Sequence, residues 1–396
     1  MVSLVRSVGY QILRWKISHQ ELNARILEQL CWTSTGTVDN KKTAERFVRL
    51  EILELEKRYK LACSYCLDNY ISLLWNELPS RSKRRFYVIL SDSLVTRMPL
   101  ETYWAYVLEG KESEVNCFFA NIFGERFSFY ECAFQFSAST GNKAATGYFF
   151  QKLSNEERDS SLLKAVYALI TESKRYIFDP YPFKHEKDSE VLCYLLSLMN
   201  PEHQMQVLKK HPCYVLTRFL YWPWQDLFYD FSDLIWPFLP EIGCGNLIYI
   251  ICANIRNANY YFPNLIQNFF LRIPNQFRKH FVRTFFIYAE PIFSEISDNE
   301  DIETMRVFFR NVDPEYRVFL VLENKFLLFL HNLIMGGKWH FAELCIQEAS
   351  SSKEDKKRLK EAFVHHFRSG SSIDGILSHS LKRLFKFLNV SEAGAP

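Results

Sequence analysis

Two cysteine motifs have the residue types and the spacing that could do chemistry. Cys63 and Cys66 form a C-x-x-C pair, which could bind zinc or cycle between dithiol and disulfide. A zinc site needs four ligands, and the sequence offers no second pair or nearby histidine to complete this one. His211 and Cys213 could act as base and nucleophile, but residues this close in sequence rarely point at each other. We therefore interpret the cysteines as buried, reduced thiols.

Motifs typical of nucleotide-binding and catalytic loops are missing from the sequence. The closest match is TGNKAATG (Thr140–Gly147), which lacks the GK[ST] ending that binds phosphates, so we interpret it as a connection between helices. The patterns GxGxxG, HExxH and GxSxG do not occur. We therefore predict no cofactor, no metal ion and no enzymatic activity. An enzyme whose site is built between repeats is the alternative.

The composition predicts which elements would have to position any functional site. The chain has 396 residues, 48% of them hydrophobic, with 35 Phe but only 13 Gly and 14 Pro. Few helix breakers and many large apolar side chains favour long helices that pack on each other. A sandwich of many strands would need more turn residues. The predicted fold class is therefore all-α.

Charge and cysteine content restrict the expected partners and compartment. The 48 basic and 45 acidic residues give a net charge of +3, without the basic excess of a nucleic-acid-binding protein. No apolar run approaches the roughly 18 residues that span a bilayer. Ten cysteines without a disulfide framework are typical of an intracellular protein. We expect no nucleic acid and no membrane as partners, and a location in the cytoplasm, with the nucleus as an alternative.

A short motif recurs along the chain: apolar residues, one apolar anchor, a capping residue or Pro, and polar residues that often end in Arg or Lys. Clear copies are FFQKLSNEER (149–158), YLLSLMNPEHQ (194–204), FFLRIPNQFR (269–278) and VFFRNVDPEYR (307–317). The residues that we term the anchors are Leu78, Ile122, Leu153, Met199, Leu239, Ile273, Val312 and Ala349. Their mean spacing is about 39 residues, as in two-helix solenoid repeats.

Each copy of the motif is predicted to end one helix and begin the next. Ser154, Asn200 and Asp313 are preferred N-cap types, and Pro suits the first helical position. We therefore predict a superhelical α-solenoid of about eight two-helix repeats over residues 62–368. Residues 1–61 are expected to form N-terminal capping helices joined by a loop at Ser34–Thr43. Residues 369–396 are expected to form a flexible joint and a basic amphipathic helix.

A basic run, SRSKRR (Ser80–Arg85), follows the first anchor. The simplest interpretation is a solvated helix face. The alternative is a patch for an acidic partner or for nuclear import, in which Lys83, Arg84 and Arg85 make the contacts. The run is expected in the first turn of a helix, where cations oppose the helix dipole. Replacing all three residues by Glu is therefore expected to raise stability slightly.

The stretch FLYWPWQDLFYDF (Phe219–Phe231) contains seven aromatic residues and could be core or a recognition surface. Beyond Pro223, residues with helical spacing are predicted to face the core, namely Trp224, Leu227, Phe228, Phe231, Leu234, Ile235 and Phe238. Tyr229 and Trp236 fall off this stripe. We expect both to pack against the next repeat, with contact to a protein partner as the alternative.

The aromatic stretch also supports a resemblance to a known family. The segment HPCYVLTRFLYWPWQDLF (His211–Phe228), preceded by LLSLMNPEHQMQVL (Leu195–Leu208), resembles a large family of uncharacterised α-helical-repeat proteins that share a W-P-x-Q-x-x-F passage. The similarity covers roughly Leu153–Phe281. It implies a helical-repeat fold without an established chemistry. Some members carry a C-terminal SOCS box, a short helical element that recruits elongin and a cullin ubiquitin ligase.

The C-terminal segment ILSHSLKRLFKFL (Ile376–Leu388) is partly similar to that box. Ser380 and Leu381 match its first positions, whereas Phe385 replaces a small residue and Asn389 replaces an aliphatic one. One interpretation is a degenerate box in which Ser380, Leu381 and Phe385 belong to a docking helix for elongin. The other is an amphipathic helix that covers the last repeat.

Solenoids present extended surfaces, so the expected function is that of a non-enzymatic scaffold that binds a partner protein. Two alternatives come from other functional classes. The first is a substrate receptor of a cullin-type ubiquitin ligase, which would bind elongin through the C-terminal helix. The second is the enzyme with a site built between repeats.

Overall fold

All regular elements in the described part of the chain are helices, apart from one β-bridge between Trp32 and Val38. The predicted all-α class is therefore confirmed. The chain divides into two compact units, Met1–Asp226 and Leu227–Pro396. The computed structural model describes residues 28–34, 36–51, 53–87, 99–123, 128–174, 183–220, 223–239, 247, 263–275, 278, 293–294, 296–349, 352–368, 383–386 and 388.

The described helices of the N-terminal unit are α1 (Asn40–Arg49), α2 (Leu55–Ser64), α3 (Asp68–Glu77), α4 (Ser80–Phe86), α5 (Leu100–Leu108), α6 (Glu112–Phe123), α7 (Phe129–Ser139), α8 (Lys143–Lys152), α9 (Asn155–Lys174), α10 (Phe183–Leu198), α11 (Pro201–Lys210) and α12 (Pro212–Arg218). Helix α2 contacts α1, α3 and α5. Helix α7 packs against α8 and α9, and α9 in turn contacts α10.

The described elements of the C-terminal unit are α13 (Gln225–Ile235), whose first two residues belong to the N-terminal unit, a 3-10 helix (Trp236–Phe238), α14 (Pro263–Arg272), α15 (Ile302–Arg310), α16 (Pro314–Leu322), α17 (Asn324–Met335), α18 (Trp339–Ala349) and α19 (Lys353–Arg368). Helix α18 contacts α15, α16 and α17, and α19 lies against α16 and α17.

The capping residues of the recurring motif begin helices as the sequence predicts. At the start of α9, the Glu157 N–H donates to Ser154 Oγ (3.3 Å) and the Ser154 N–H donates to Glu157 Oε2 (2.7 Å). This reciprocal pair is a capping box, which satisfies two donors at the helix start. Asn200 caps α11 by accepting from the His203 N–H at 2.8 Å, and Pro201 is the first residue of that helix.

The N-terminal loop is shorter than predicted. The expected connection Ser34–Thr43 ends at Asp39, because the Asp39 carboxylate accepts the Lys42 N–H (3.0 Å) and α1 begins at Asn40. The predicted loop TGNKAATG is also mostly helix, because Asn142 accepts the Ala145 N–H (3.2 Å) and α8 begins at Lys143. In both places a capping side chain within the polar stretch begins a helix.

In the described part of the chain, five helices end in one type of left-handed turn. In each turn a residue with positive φ is followed by a residue whose N–H donates to the carbonyl five positions earlier, at 2.8–3.0 Å. This is the 6→1 bond of a Schellman motif, which satisfies carbonyls at the helix end. Each positive-φ residue lies twelve positions before an anchor, in the pairs Cys66 and Leu78, Gly110 and Ile122, Gly141 and Leu153, Glu300 and Val312, and Gly337 and Ala349.

The anchors, and the residue at one fixed distance in sequence before each of them, are mostly buried. Six anchors, Leu78, Leu153, Met199, Leu239, Ile273 and Ala349, are at most 5% exposed, whereas Val312 is half-buried. The residue seven positions before the anchor is buried at all eight sites, namely Ile71, Val115, Thr146, Leu192, Ser232, Ile266, Met305 and Ala342. The helix that leads into each anchor therefore presents equivalent positions to the core.

Glu300→Gly is expected to increase the free energy of unfolding by about 1 kcal/mol. Glu300 has φ 54° and an exposed side chain, and a non-glycine residue in this region costs roughly 1–2 kcal/mol. The control is Glu303→Gly in α15, which should reduce the free energy by about 0.5–1 kcal/mol because glycine weakens a helix. Urea unfolding of both variants measures the effect, and a loss of stability in Glu300→Gly would contradict it.

Candidate functional site

The polar end of the recurring motif closes the junction between two helices. At each of four junctions, a side chain five positions after the anchor donates to carbonyls at the end of the preceding helix. Arg278, for example, donates from Nε to Ile273 O (2.8 Å) and from Nη2 to Leu271 O (2.6 Å). The side chains in this position are Arg158, Gln204, Arg278 and Arg317.

These contacts give the basic residues of the motif a structural role. The last carbonyls of a helix lack partners within it, and a cation at this end also interacts favourably with the helix dipole. The sequence showed that Arg or Lys recurs here but gave no reason for it. These side chains therefore stabilise the junctions between helices, and we do not include them among the candidate binding residues.

Lys83 occupies the equivalent position at the first junction, five residues after Leu78. Its Nζ lies 5.3 Å from the ring centroid of Trp75, three residues before the anchor. Arg158 has the same relation to Phe150, at 5.4 Å. Lys83 is half-buried, so its place in the junction explains its presence without a partner.

The other predicted members of the basic patch lie on the exposed side of α4. Arg85 Nη1 is 3.5 Å from Glu56 Oε1, and its side chain is 61% exposed, so this ion pair contributes little to stability. Arg84 is exposed. The structure therefore separates the three predicted residues into one that closes a junction, one that forms a surface ion pair and one that faces solvent.

The expectation that these cations oppose the helix dipole is wrong. Helix α4 has seven residues and ends at Phe86, so Lys83, Arg84 and Arg85 lie in its last turn rather than its first. Cations are favourable at the C-terminal end of a helix. The error came from assuming that a full-length helix follows every anchor.

The triple variant Lys83→Glu/Arg84→Glu/Arg85→Glu is accordingly expected to lower stability, by roughly 1–2 kcal/mol, instead of raising it. Three anionic groups would oppose the dipole at this helix end, and the contact between Lys83 and Trp75 would be lost. Thermal unfolding followed by circular dichroism measures the change. A variant that melts above the wild type would show that the predicted first-turn placement was correct.

Tyr229 and Trp236, the two aromatic residues off the predicted stripe, both contact α14. The Tyr229 hydroxyl donates to Asn264 O (3.4 Å), and the Arg272 guanidinium lies 4.9 Å from the Tyr229 ring centroid. Trp236 is 8% exposed, and its ring lies 5.5 Å from that of Phe269. These contacts favour packing between neighbouring helices over partner binding. For half-buried Tyr229, partner contact remains a prediction.

The predicted apolar stripe is wrong at Leu234 and Phe238. Phe228 and Ile235 are fully buried as expected, but Leu234 is 51% exposed and Phe238 is 36% exposed. Helix α13 ends at Ile235, and the chain continues as a 3-10 helix that contains Pro237. Proline cannot donate a backbone hydrogen bond, so the 3.6-residue period does not extend to the anchor.

The described part of the C-terminal segment packs on the protein. Leu384 and Leu388 are buried, and the Arg383 guanidinium lies 4.3 Å from the Trp339 ring centroid. Phe385 is half-buried, with Lys360 Nζ 5.2 Å from its ring. Ser380 and Leu381 lie outside the described residues. These contacts favour the covering helix, and docking of elongin stays a prediction.

The cysteines of the C-x-x-C pair are buried thiols, as predicted. Cys63 and Cys66 are 0% and 6% exposed. Burial raises the pKa of the Cys66 thiol to about 12 and that of Cys63 well above its ordinary value. Burial also raises the pKa of Cys213, while the His211 ring packs edge-on against Tyr167. Nucleophilic chemistry needs a thiolate, so these environments suit packing rather than catalysis.

One group of titratable side chains was not anticipated from the sequence. The hydroxyls of Tyr103 and Tyr130 both donate to Glu112 Oε1, at 3.2 Å for Tyr103. Burial raises the pKa of both phenols, that of Tyr130 to about 12, so both remain protonated donors at neutral pH. The three residues come from α5, α6 and α7, and the network links these helices. No sequence spacing could have indicated it.

Two kinds of feature are absent from the described part of the chain. No group of three or more His, Cys, Asp or Glu side chains there could hold a metal ion. No helix there is both long and apolar enough to cross a membrane. In comparisons with known proteins, no family model and no curated protein matches this chain.

Proposed function

We propose that the protein is a non-enzymatic scaffold that binds a partner protein through the surface of an α-solenoid. The observation that carries this proposal is the burial pattern around the anchors. The position seven residues before each of the eight anchors is buried, from Ile71 to Ala342. Such a pattern is expected when successive two-helix repeats stack in equivalent ways.

The turns and the helix contacts support the same proposal. Five left-handed turns precede their anchors by the same twelve residues, so the turn, the helix and the junction recur together. Within each unit, the main contacts join described helices that are at most three places apart in order. Repeat arrays are built from contacts between neighbours in this way. Their function is typically recognition of a partner along a surface that many repeats share.

Proximity labelling in cells, followed by a binding assay with the purified chain and the purified candidate, tests the proposal. Saturable binding of a labelled protein with defined stoichiometry is the expected result. Two outcomes would favour the alternatives instead. A cofactor or metal ion that co-purifies would favour an enzyme, and recovery of elongin that depends on residues 371–396 would favour a ubiquitin-ligase receptor. Absence of any saturable protein partner would contradict the scaffold.

A further inference from the structure

Helix α4 departs from the charge pattern of several other junctions. Helices that follow three later anchors carry acidic residues in their first turn, namely Glu156 and Glu157 in α9, Glu202 in α11, and Glu354 and Asp355 in α19. Acidic side chains are favourable there because of the helix dipole. Helix α4 has none in its seven residues, and it carries four cations. A local departure from a recurring rule is where function is expected.

Two of these cations have no structural task that would explain them. Lys83 closes the junction and Arg85 pairs with Glu56. Arg81 and Arg84 are exposed, and no carboxylate of the described residues lies within 4.0 Å of either. They are three positions apart in the sequence, which places them on one side of the helix.

Another exposed cation contacts the opposite side of α4, where Phe86 lies two positions after Arg84. Lys60 on α2 has its Nζ 5.5 Å from the ring centroid of Phe86, the last residue of α4. The Phe86 and Trp75 rings both pack on Tyr59, at 5.0 and 5.3 Å between centroids. Lys60 and Lys83 therefore lie over two rings of one aromatic cluster.

An aromatic ring positions an ammonium group without neutralising it. Lys60 and Lys83, which have such contacts, consequently keep their full charge and add to the positive potential around α4. Guanidinium groups bind carboxylates through two parallel hydrogen bonds, so Arg81 and Arg84 suit carboxylate side chains in particular. The whole chain is nearly balanced at 48 basic and 45 acidic residues, which favours an acidic protein over a nucleic acid.

We propose that the exposed side of α4 formed by Arg81 and Arg84, here called the basic cluster, binds a segment of the partner protein that is rich in Glu and Asp. The proposal rests on the scaffold function above and names the chemistry of its partner. Lys83 was predicted to belong to this patch, but it closes the helix junction instead. Arg81 belongs to the basic cluster although the sequence did not single it out.

The test measures binding of a fluorescein-labelled Glu-rich peptide to the intact chain by anisotropy at low salt. Arg81→Glu/Arg84→Glu should weaken binding by about tenfold or more, because two favourable charge contacts become repulsive. Lys353→Glu/Lys357→Glu on α19 makes the same change in net charge at two exposed sites and should change affinity less than about twofold. Arg81→Ala/Arg84→Ala replaces the first variant if charge reversal prevents folding.

Four outcomes would overturn the proposal. The first is equal loss of binding in the α19 control, which would show attraction to net charge alone. The second is tighter binding of a single-stranded oligonucleotide or of phosphatidylserine vesicles than of the peptide. The third is no peptide binding by the wild type. The fourth is unchanged binding of proximity-labelled partners to the Arg81→Glu/Arg84→Glu variant, in which case the basic cluster is not their site and the scaffold function stands.

Discussion

Replacing Trp236 with alanine is expected to lower the free energy of unfolding by about 3–5 kcal/mol, the cost of removing a large buried side chain and leaving a cavity. Trp236 is 8% exposed, contacts Phe269 on α14, and lies three positions before the anchor Leu239. The equivalent residues Phe270 and Phe309 are also buried. Removing the Trp236 ring should therefore weaken the packing between the 3-10 helix and α14.

Phe238→Ala is the matched control for this variant. Phe238 belongs to the same 3-10 helix and is also aromatic, but it is 36% exposed. Its truncation should cost less than about 1.5 kcal/mol, because less apolar surface returns to water. Urea unfolding monitored by circular dichroism compares the two. Equal effects, or a Trp236→Ala variant that is as stable as wild type but has lost partner binding, would support a recognition role for Trp236.

The aromatic stretch shows what sequence periodicity can and cannot predict. The assignment of Phe228 and Ile235 to the core is correct, whereas Leu234, which also lies within α13, is 51% exposed. Beyond Ile235 the chain forms a 3-10 helix that contains Pro237. A helical period of 3.6 residues no longer applies there, and for this reason the prediction wrongly placed Phe238 in the core and Trp236 outside it. Counting back from the anchor, rather than forward from Pro223, would have placed Trp236 among the buried residues.

The junctions were more predictable than the turns. N-cap residues and prolines carry local signals, so the starts of α9 and α11 followed from the sequence. The left-handed turns are marked by glycine at three of five sites. At the other two, Cys66 and Glu300 adopt positive φ, which sequence alone would not suggest because the conformation is unfavourable for both. At both sites the 6→1 hydrogen bond of the turn still forms, from the Leu67 N–H to Ala62 O and from the Asp301 N–H to Ile296 O.

The candidate surface was only partly predictable for a related reason. Charge runs are visible in a sequence, but whether a cation is used internally depends on contacts across helices. Lys83 has a structural role because its ammonium group lies over the Trp75 ring, a contact between two helices. Arg81 and Arg84 are exposed, so they are the cations of α4 that we propose for partner binding.

Arg317→Ala is expected to lower the free energy of unfolding by about 2 kcal/mol. Arg317 donates from Nε to Val312 O (2.7 Å) and from Nη2 to Arg310 O (3.2 Å), closing the junction between α15 and α16. Charged donors make stronger hydrogen bonds than neutral ones, and their removal leaves carbonyls at the end of α15 with fewer partners. Arg317→Lys should recover less than half of the loss, because one ammonium group cannot reproduce the planar fork.

Arg310→Ala separates this effect from loss of a positive charge. Arg310 is on α15 and pairs with Glu348 at 2.8 Å, but its side chain is 61% exposed, so its variant should unfold close to the wild type. If Arg310→Ala is as damaging as Arg317→Ala, charge rather than junction geometry explains the recurrence of Arg. If only Arg317→Ala is damaging, the basic residue five positions after an anchor is a structural signature of the recurring motif.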